Sequence, residues 1–344
     1  MNTAQKDWDW SEISANFITL PLLAPEHRAD TLAATYTTLR AHWQSMTDEM
    51  KALEEENNRI FIDAYGLQDE LTPEVPIEEI TLTCNPAYRY GINVSEDERE
   101  KRLRADTVRE LISYAVGCMF GRYSLDEPGL ILANQGENRD DYLKRIPDPS
   151  FMPDERNVLP ILSDDWFEDD IYDRLRVFLE VTFGKDNLPK TMTFMRDALD
   201  KEVRKYLIRD FYDDHVKRYK KRPIYWQVSS PNGAFQALIY MHRYTPDTLN
   251  IVLNDYVRIL RHRMQSRIDT LEERQRNPDT SRGDKTRASN DVDHLTAQIA
   301  EIDAWERDVL YPLAVQRIPI DLDDGVKANY PKFSGVLKPV KGLG

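Results

Sequence analysis

Only two cysteines occur in the 344 residues, Cys84 and Cys118, so the chain supports neither a disulfide framework nor a cysteine-based zinc site. Long apolar runs are also missing. The longest, around "LISYAVGCMF", falls short of the roughly 18 residues that a membrane span needs. The start, "MNTAQKDWDW", has no basic n-region and no apolar core, which argues against a secretory signal and for a cytoplasmic protein. No GxxxxGK[ST], GxSxG or HExxH occurs, and the six histidines form no close pair, so no metal or nucleophilic centre is expected. Acid clusters such as "SDDWFEDD" and "DLDDG" lack the alternation of a calcium loop and read as helix starts or turns.

A net charge of −14 argues against a nucleic-acid partner until its distribution is considered. Residues 1–189 carry 19 basic and 38 acidic side chains, whereas residues 190–287 carry 21 and 13. A basic block is set in an acidic chain. Its densest part is "HVKRYKKRPIYWQVSSPNGAF", where Lys217, Arg218, Lys220, Lys221 and Arg222 stand beside Tyr225 and Trp226. Lysine and arginine neutralise phosphates and release counterions, and arginine, serine and asparagine also reach base edges. The candidate contacts to double-stranded DNA are these seven residues with Ser229, Ser230, Asn232 and Arg243, and a second set of Arg122 and Tyr123 after a helix.

Periodicity gives a mainly helical α+β fold with a β-hairpin and a long antiparallel helical hairpin. Leu32, Tyr36, Leu39, Trp43, Met46, Met50, Leu53 and Ile60 make a helical stripe that should face a second helix and end near Tyr65, with Gly66 as C-cap. "IEEITLTC" alternates like a short strand. Ser95 should cap a helix, with Glu98 in the capping-box position, that ends near Gly117 or Gly121. Residues 124–163 look loop-rich, and a further helix should open at Ser163 or Asp164. "TFMRDALDKEVRKYLIRDFYDDHVKRYKKR" reads as one helix broken by Pro223. Pro231-Asn232-Gly233 marks a hairpin turn between two aromatic, β-branched strands. Helical patterns over 247–275 and 288–312 form the helical hairpin, before a Pro/Gly-punctuated tail read as an extended strap. The expected parts are a helical connector (1–66), an acidic α+β portion (67–189), a basic portion with the β-hairpin (190–246), the helical hairpin (247–313) and the strap (314–344).

"TCNPAYRYG" holds Asn85-Pro86-Ala87-Tyr88, which shares letters with the Asn-Pro-Pro-Tyr motif of amino-methylating DNA enzymes. Position 87 is alanine, and neither a glycine-rich loop nor the βαβ alternation of a cofactor-binding sheet accompanies it, so it reads as a turn and no catalytic residue is assigned.

Longer strings carry a more specific likeness. "NRIFIDAYGLQDEL" looks like a segment that large modular adenine methyltransferases carry outside their catalytic domain. "ITLTCNPAYRYG", "ELISYAVGCMFGRYSLDEPGLILANQGE", "RPIYWQVSSPNGAFQALIYMHRY", "ERDVLYPLA" and "IDLDDGVKANYPKFSG" resemble the C-terminal half of the PglX-type adenine methyltransferases of BREX phage-exclusion systems. The resemblance implies a target-recognition region with a helical spacer. S-adenosylmethionine and the catalytic motif would lie in a preceding methyltransferase domain, and this chain alone would be inactive. It further implies methylation of an adenine in a short non-palindromic site, with other BREX proteins as possible partners. A second reading stays open: an interaction module that docks other defence components through its acidic face and helical hairpin.

Overall fold

The computed structural model describes residues 3–343. It is mainly helical, with one small antiparallel sheet, the α+β class that the patterning suggests. The chain divides into two compact units, Met1–Val116 with Glu127–Leu130 and Arg176–Val203, and Gly117–Asp126 with Ile131–Leu175 and Arg204–Gly344.

In the first unit the helix Leu32–Tyr65 is capped by the Thr31 hydroxyl on the Ala34 N–H and closed by Gly66 in the left-handed conformation, φ 69°. Leu32, Leu39, Trp43 and Met46 are buried, and the ring of Tyr36 lies 5.8 Å from Phe194 in the helix Leu188–Leu199. Beyond Thr47 the stripe runs out of cover: Leu53 and Ile60 are both 59% exposed, so the expected core face spans only about the first half of the helix.

"IEEITLTC" is not a strand. It forms a 3-10 turn at Ile77–Glu79 and a loop whose backbone is paired by side chains. Asp7 accepts the N–H groups of Thr83 at 2.6 Å and Cys84 at 3.0 Å. The buried Asn85 amide donates to the carbonyls of Ile77 at 2.7 Å and Ile80 at 2.9 Å. Backbone groups satisfied in this way need no neighbouring strand. The Asn85 oxygen accepts the Ala87 N–H at 3.0 Å and caps the helix Pro86–Tyr90, so the asparagine of the Asn-Pro element is committed to its own turn.

The helix Glu96–Phe120 starts as expected, the Ser95 hydroxyl taking the Glu98 N–H, although the Glu98 carboxylate accepts from Arg102. It passes through Gly117 and stops before Gly121.

In the second unit β1 (Val158–Pro160), β2 (Tyr225–Ser229) and β3 (Gln236–Tyr240) form a sheet of order β1-β3-β2, with Val158 and Trp226 both opposite Ile239. The hairpin is where the Pro-Asn-Gly turn puts it; β1, inside the loop-rich stretch, was not expected. The tail contains short helical turns at Leu322–Asp324, Val326–Asn329 and Tyr330–Phe333, and only its last part is extended. There Val336 accepts the Ser229 N–H at 2.9 Å and Lys338 donates to the Gln227 carbonyl at 2.8 Å, which covers the outer edge of β2.

Two further boundaries differ from the periodic reading. The helix expected at Ser163 begins at Ile171, because Trp166 and Phe167 are buried in the preceding loop. Its cap is the buried Asp170, which accepts the N–H groups of Tyr172 at 2.8 Å and Leu162 at 3.1 Å. The single basic helix is three, Leu188–Leu199, Val203–Arg209 and Phe211–Arg218, with the first ended by left-handed Asp200 at φ 52°. The helices Arg258–Arg276 and Arg282–Trp305 pair antiparallel, as the ion pairs Arg258–Glu306, Arg261–Asp303 and Arg274–Asp284 require. Each continues into a π-helical turn, Val252–Val257 before one and Glu306–Leu310 after the other.

Candidate nucleic-acid interface

The basic cluster sits on the end of the helix Phe211–Arg218, where cations complement the helix dipole. The Lys220 N–H bonds to the Lys217 carbonyl at 3.0 Å and the Lys221 N–H to that of Val216 at 2.8 Å, the paired closure of a Schellman motif. That motif favours glycine, yet here two lysines take the left-handed conformation, φ 50° and 62°. Each non-glycine residue there costs about 1 kcal/mol. The geometry turns Lys220, Lys221 and Arg222 into solvent, where they make no ion pair within the described residues. Lys217 is exposed and 3.7 Å from Asp214, and Arg218 is half-buried.

Beneath the turn lies His215, whose Nε2 accepts the N–H groups of Ile224 at 3.2 Å and Tyr225 at 3.1 Å. Burial, reinforced by Arg218 and Arg122, holds this imidazole well below its ordinary pKa and therefore neutral. It ties the start of β2 to the helix end and so fixes the direction of the basic turn.

The hairpin tip lies at the other end of β2. Four residue steps of strand separate Tyr225 from Ser229, roughly 14 Å, so the cations and the candidate base readers are not brought together. At the tip Gly233 takes φ 80°, and its N–H bonds to the Ser230 carbonyl at 3.0 Å. One carboxylate oxygen of Glu301, in the helix Arg282–Trp305, accepts from the Ser230 hydroxyl at 2.5 Å, the Asn232 N–H at 2.8 Å and the Ala234 N–H at 3.3 Å. Burial works against that charge, but the bonds from Ser230, Asn232 and Ala234 outweigh it and hold the acid below its ordinary pKa. Pro231 and Asn232 are exposed and Ser229 is half-buried, on the rim of a groove of about 530 Å³ that also includes Gln227, Gln236 and Lys338.

Five of the sequence candidates have no face to offer. Tyr225 is fully buried, its ring 5.1 Å from Phe120 and 4.8 Å from His215. The Trp226 indole donates to the Pro223 carbonyl at 3.2 Å and packs on Tyr330 and Phe333. Tyr123 is buried against Gly117, where a Cβ would come within 2.3 Å of its ring. Ser230 is 1% exposed and spent on Glu301. Arg243 is buried and ties down the carbonyls of Phe120 at 3.1 Å and Glu155 at 3.0 Å. These corrections have separate causes. Tyr225 and Trp226 are core because β2 packs its aromatic side chains against Phe120, His215, Tyr330 and Phe333 and has its outer edge covered by residues 336–338. Tyr123, Ser230 and Arg243 are each held by the local contacts just given. Arg122 is half-buried, 5.4 Å from the Tyr123 ring centroid and bonded to the Tyr240 hydroxyl at 3.0 Å, and so acts as a tie.

Gln227, Gln236 and Glu301 were missed. Alternation counted back from the Pro-Asn-Gly turn puts Gln227 and Ser229 on one face and pairs Ser229 with Gln236, so the glutamines were accessible to a register argument. Glu301 had no such signal. No cluster of three or more His, Cys, Asp or Glu side chains suited to a metal occurs among the described residues, and no described helix is long and apolar enough to cross a membrane.

No family model matches the chain. Two curated proteins do. The adenine-specific methyltransferase BrxX of Escherichia coli O9:H4 (strain HS) is 35% identical over 355 aligned residues, which cover 99% of this chain and 29% of that protein. The adenine-specific methyltransferase PglX of Lacticaseibacillus casei (strain Zhang) is 33% identical over 358, covering 99% and 28%. The chain thus spans less than a third of the length of the curated relatives it matches, and is similar nearly end to end to a part of two adenine-specific methyltransferases.

Proposed function

We propose that this chain is the DNA target-recognition and C-terminal region of a PglX-like adenine-specific DNA methyltransferase that acts in the cytoplasm in BREX phage defence. The observation that carries the reading is the exposed cluster Lys217, Lys220, Lys221 and Arg222, in which Lys220 and Lys221 are held in a left-handed turn that is unfavourable for lysine. Strain of this kind persists where the surroundings impose it, and it collects at functional sites. The cluster would grip phosphates, and the polar rim of the hairpin, with Ser229 and Asn232, would meet base edges.

S-adenosylmethionine does not fit this chain. The sheet is antiparallel throughout, and no glycine-rich turn joins a parallel strand to a helix among the described residues. In a PglX-like enzyme the methyl donor would belong to a separate domain, and this chain by itself would bind without methylating. Fluorescence anisotropy of a labelled duplex, titrated at rising salt, tests the reading. Four phosphate contacts correspond to a log–log slope of about −3.6. A Lys220→Ala/Arg222→Ala variant with unaltered affinity would sink it.

A second reading has its own observation. The exposed Leu53, Ile60, Phe61 and Tyr65 on the helix Leu32–Tyr65, with Phe61 stacked on Tyr65 at 6.4 Å, form an apolar face suited to a protein partner. An interaction module would show a salt-insensitive protein interface there and no DNA affinity.

A further inference from the structure

Arg122 is a half-buried cation without a counter-ion. Its Nε donates to the Tyr123 hydroxyl at 3.2 Å and its Nη1 to that of Tyr240 at 3.0 Å. No carboxylate of the described residues stands within ion-pairing distance of it. The Nη2 makes no hydrogen bond within the described residues and is not buried, so one corner of the guanidinium is open to solvent. Glu137, the acid that bears on Tyr240, is held by its own loop, accepting the N–H groups of Ala133 at 2.7 Å and Asn134 at 2.8 Å and the Asn134 amide at 2.8 Å. Neutral phenols and a ring face attract a cation but bring no charge to neutralise it, and withdrawing an unmatched charge from water is unfavourable. The surroundings add to the excess. Tyr219 stands near the guanidinium, and it ends the helix Phe211–Arg218 directly before Lys220 and Lys221. Burial, then Arg218 and Arg122, keep His215 beneath that turn neutral, so no imidazolium or carboxylate balances the cations there.

We propose that Arg122 anchors a phosphate group, whose charge supplies the counter-ion that the fold lacks. On the DNA-binding reading that group is a phosphodiester of the backbone, held through the open Nη2. A guanidinium donates in a fixed plane that matches phosphate oxygens. The two tyrosine hydroxyls set that plane before the phosphate arrives, so little side-chain freedom is lost on binding. The exposed lysines of the turn supply attraction, and the fixed arginine supplies register. The inference rests on the DNA-binding reading for the source of the phosphate. It adds a fifth contact to the four of the basic cluster and takes the expected salt slope from about −3.6 to about −4.5.

The test compares the full chain with its Arg122→Met and Arg122→Lys variants, using a labelled duplex and, separately, millimolar inorganic phosphate. Arg122→Met should weaken duplex binding about 10- to 100-fold and return the slope to about −3.6. Its urea midpoint in chloride should not fall, because the charge removed had no counter-ion. Arg122→Lys keeps a cation and should keep the wild-type slope. A residue that served only as a tie would leave lysine as poor as methionine, since neither can bond both hydroxyls. In the second arm, phosphate should raise the urea midpoint over chloride of equal ionic strength by more in the wild type than in Arg122→Met, where only the general salt effect remains. Arg122→Gln, still able to donate to one tyrosine hydroxyl, takes the place of the methionine chain should that fail to fold. Duplex binding left intact by Arg122→Met, with no phosphate effect that depends on Arg122, overturns the anchor and leaves DNA binding standing. Loss of affinity in both variants with lowered midpoints makes Arg122 a tie and also overturns it. A phosphate effect that depends on Arg122 in a chain that binds no duplex at any salt concentration upholds the site and overturns the DNA reading.

Discussion

Glu301 and Ser230, 71 positions apart, meet at 2.5 Å, and the same carboxylate oxygen closes over the backbone of Asn232 and Ala234. The shape of the hairpin tip is therefore set by a residue of the helical hairpin. Glu301→Ala strips an acceptor from three donors and should cost about 2–3 kcal/mol in urea unfolding. Amide exchange at Asn232 and Ala234 should quicken selectively. Unchanged protection of those two amides would show that the turn holds its shape without the carboxylate.

Lys220 offers a separation of stability from affinity. Lys220→Gly relieves a left-handed lysine and should raise stability by about 1 kcal/mol. On the proposed function it should also weaken DNA binding and make the salt slope about one unit shallower, the share of one phosphate contact. A glycine chain that is more stable and binds equally well would remove Lys220 from the interface.

His242 governs part of the acid limb. Burial, with Arg122 adding to it against a smaller opposing effect of Glu137, pushes its pKa down to about 4. An unfolded histidine takes up its proton near 6.5, so between those values the unfolded chain binds more protons than the folded one. The contribution is complete above about pH 6.5 and is lost as pH falls toward 4, by roughly 3 kcal/mol. Unfolding free energy measured from pH 4 to 7 should rise less steeply in His242→Asn; parallel curves would place the titration elsewhere.

Gly117 has opposing expectations from helix propensity and packing. In an open helix, Gly→Ala gains about 1 kcal/mol. Here the new Cβ would stand 2.3 Å from the Tyr123 ring, which is itself buried. Overpacking of about 1–3 kcal/mol should win, and the urea midpoint of Gly117→Ala should fall. A raised midpoint would mean that the ring has room to move.

The parts of this fold legible in the sequence are those settled within a few residues. Gly66 ended the long helix because a left-handed closure suits glycine, and Pro231-Asn232-Gly233 placed the β-hairpin because a tight turn needs that backbone. What stayed hidden depends on distant segments. Trp226 reads alike whether its ring meets a base or Tyr330, and only the tail decides for Tyr330. The helix expected at Ser163 starts at Ile171 because Trp166 and Phe167 are drawn into the core, which periodicity does not register. Of the candidate site, the exposed cations of residues 217–222 were legible from composition. The groove glutamines Gln227 and Gln236 required the strand register.

The pairing of β2 with residues 336–338 has a consequence for how the chain comes into being. β2 and β3 are neighbours in sequence, and their ladder is available as soon as both have been synthesised. The outer edge of β2 must wait for Val336 and Lys338, about a hundred residues later. At translation speeds of about 5–20 residues per second that interval lasts roughly 5–20 s, during which an aromatic strand stands with an unpaired edge. Nascent chains halted before residue 336 should therefore be the species most prone to self-association.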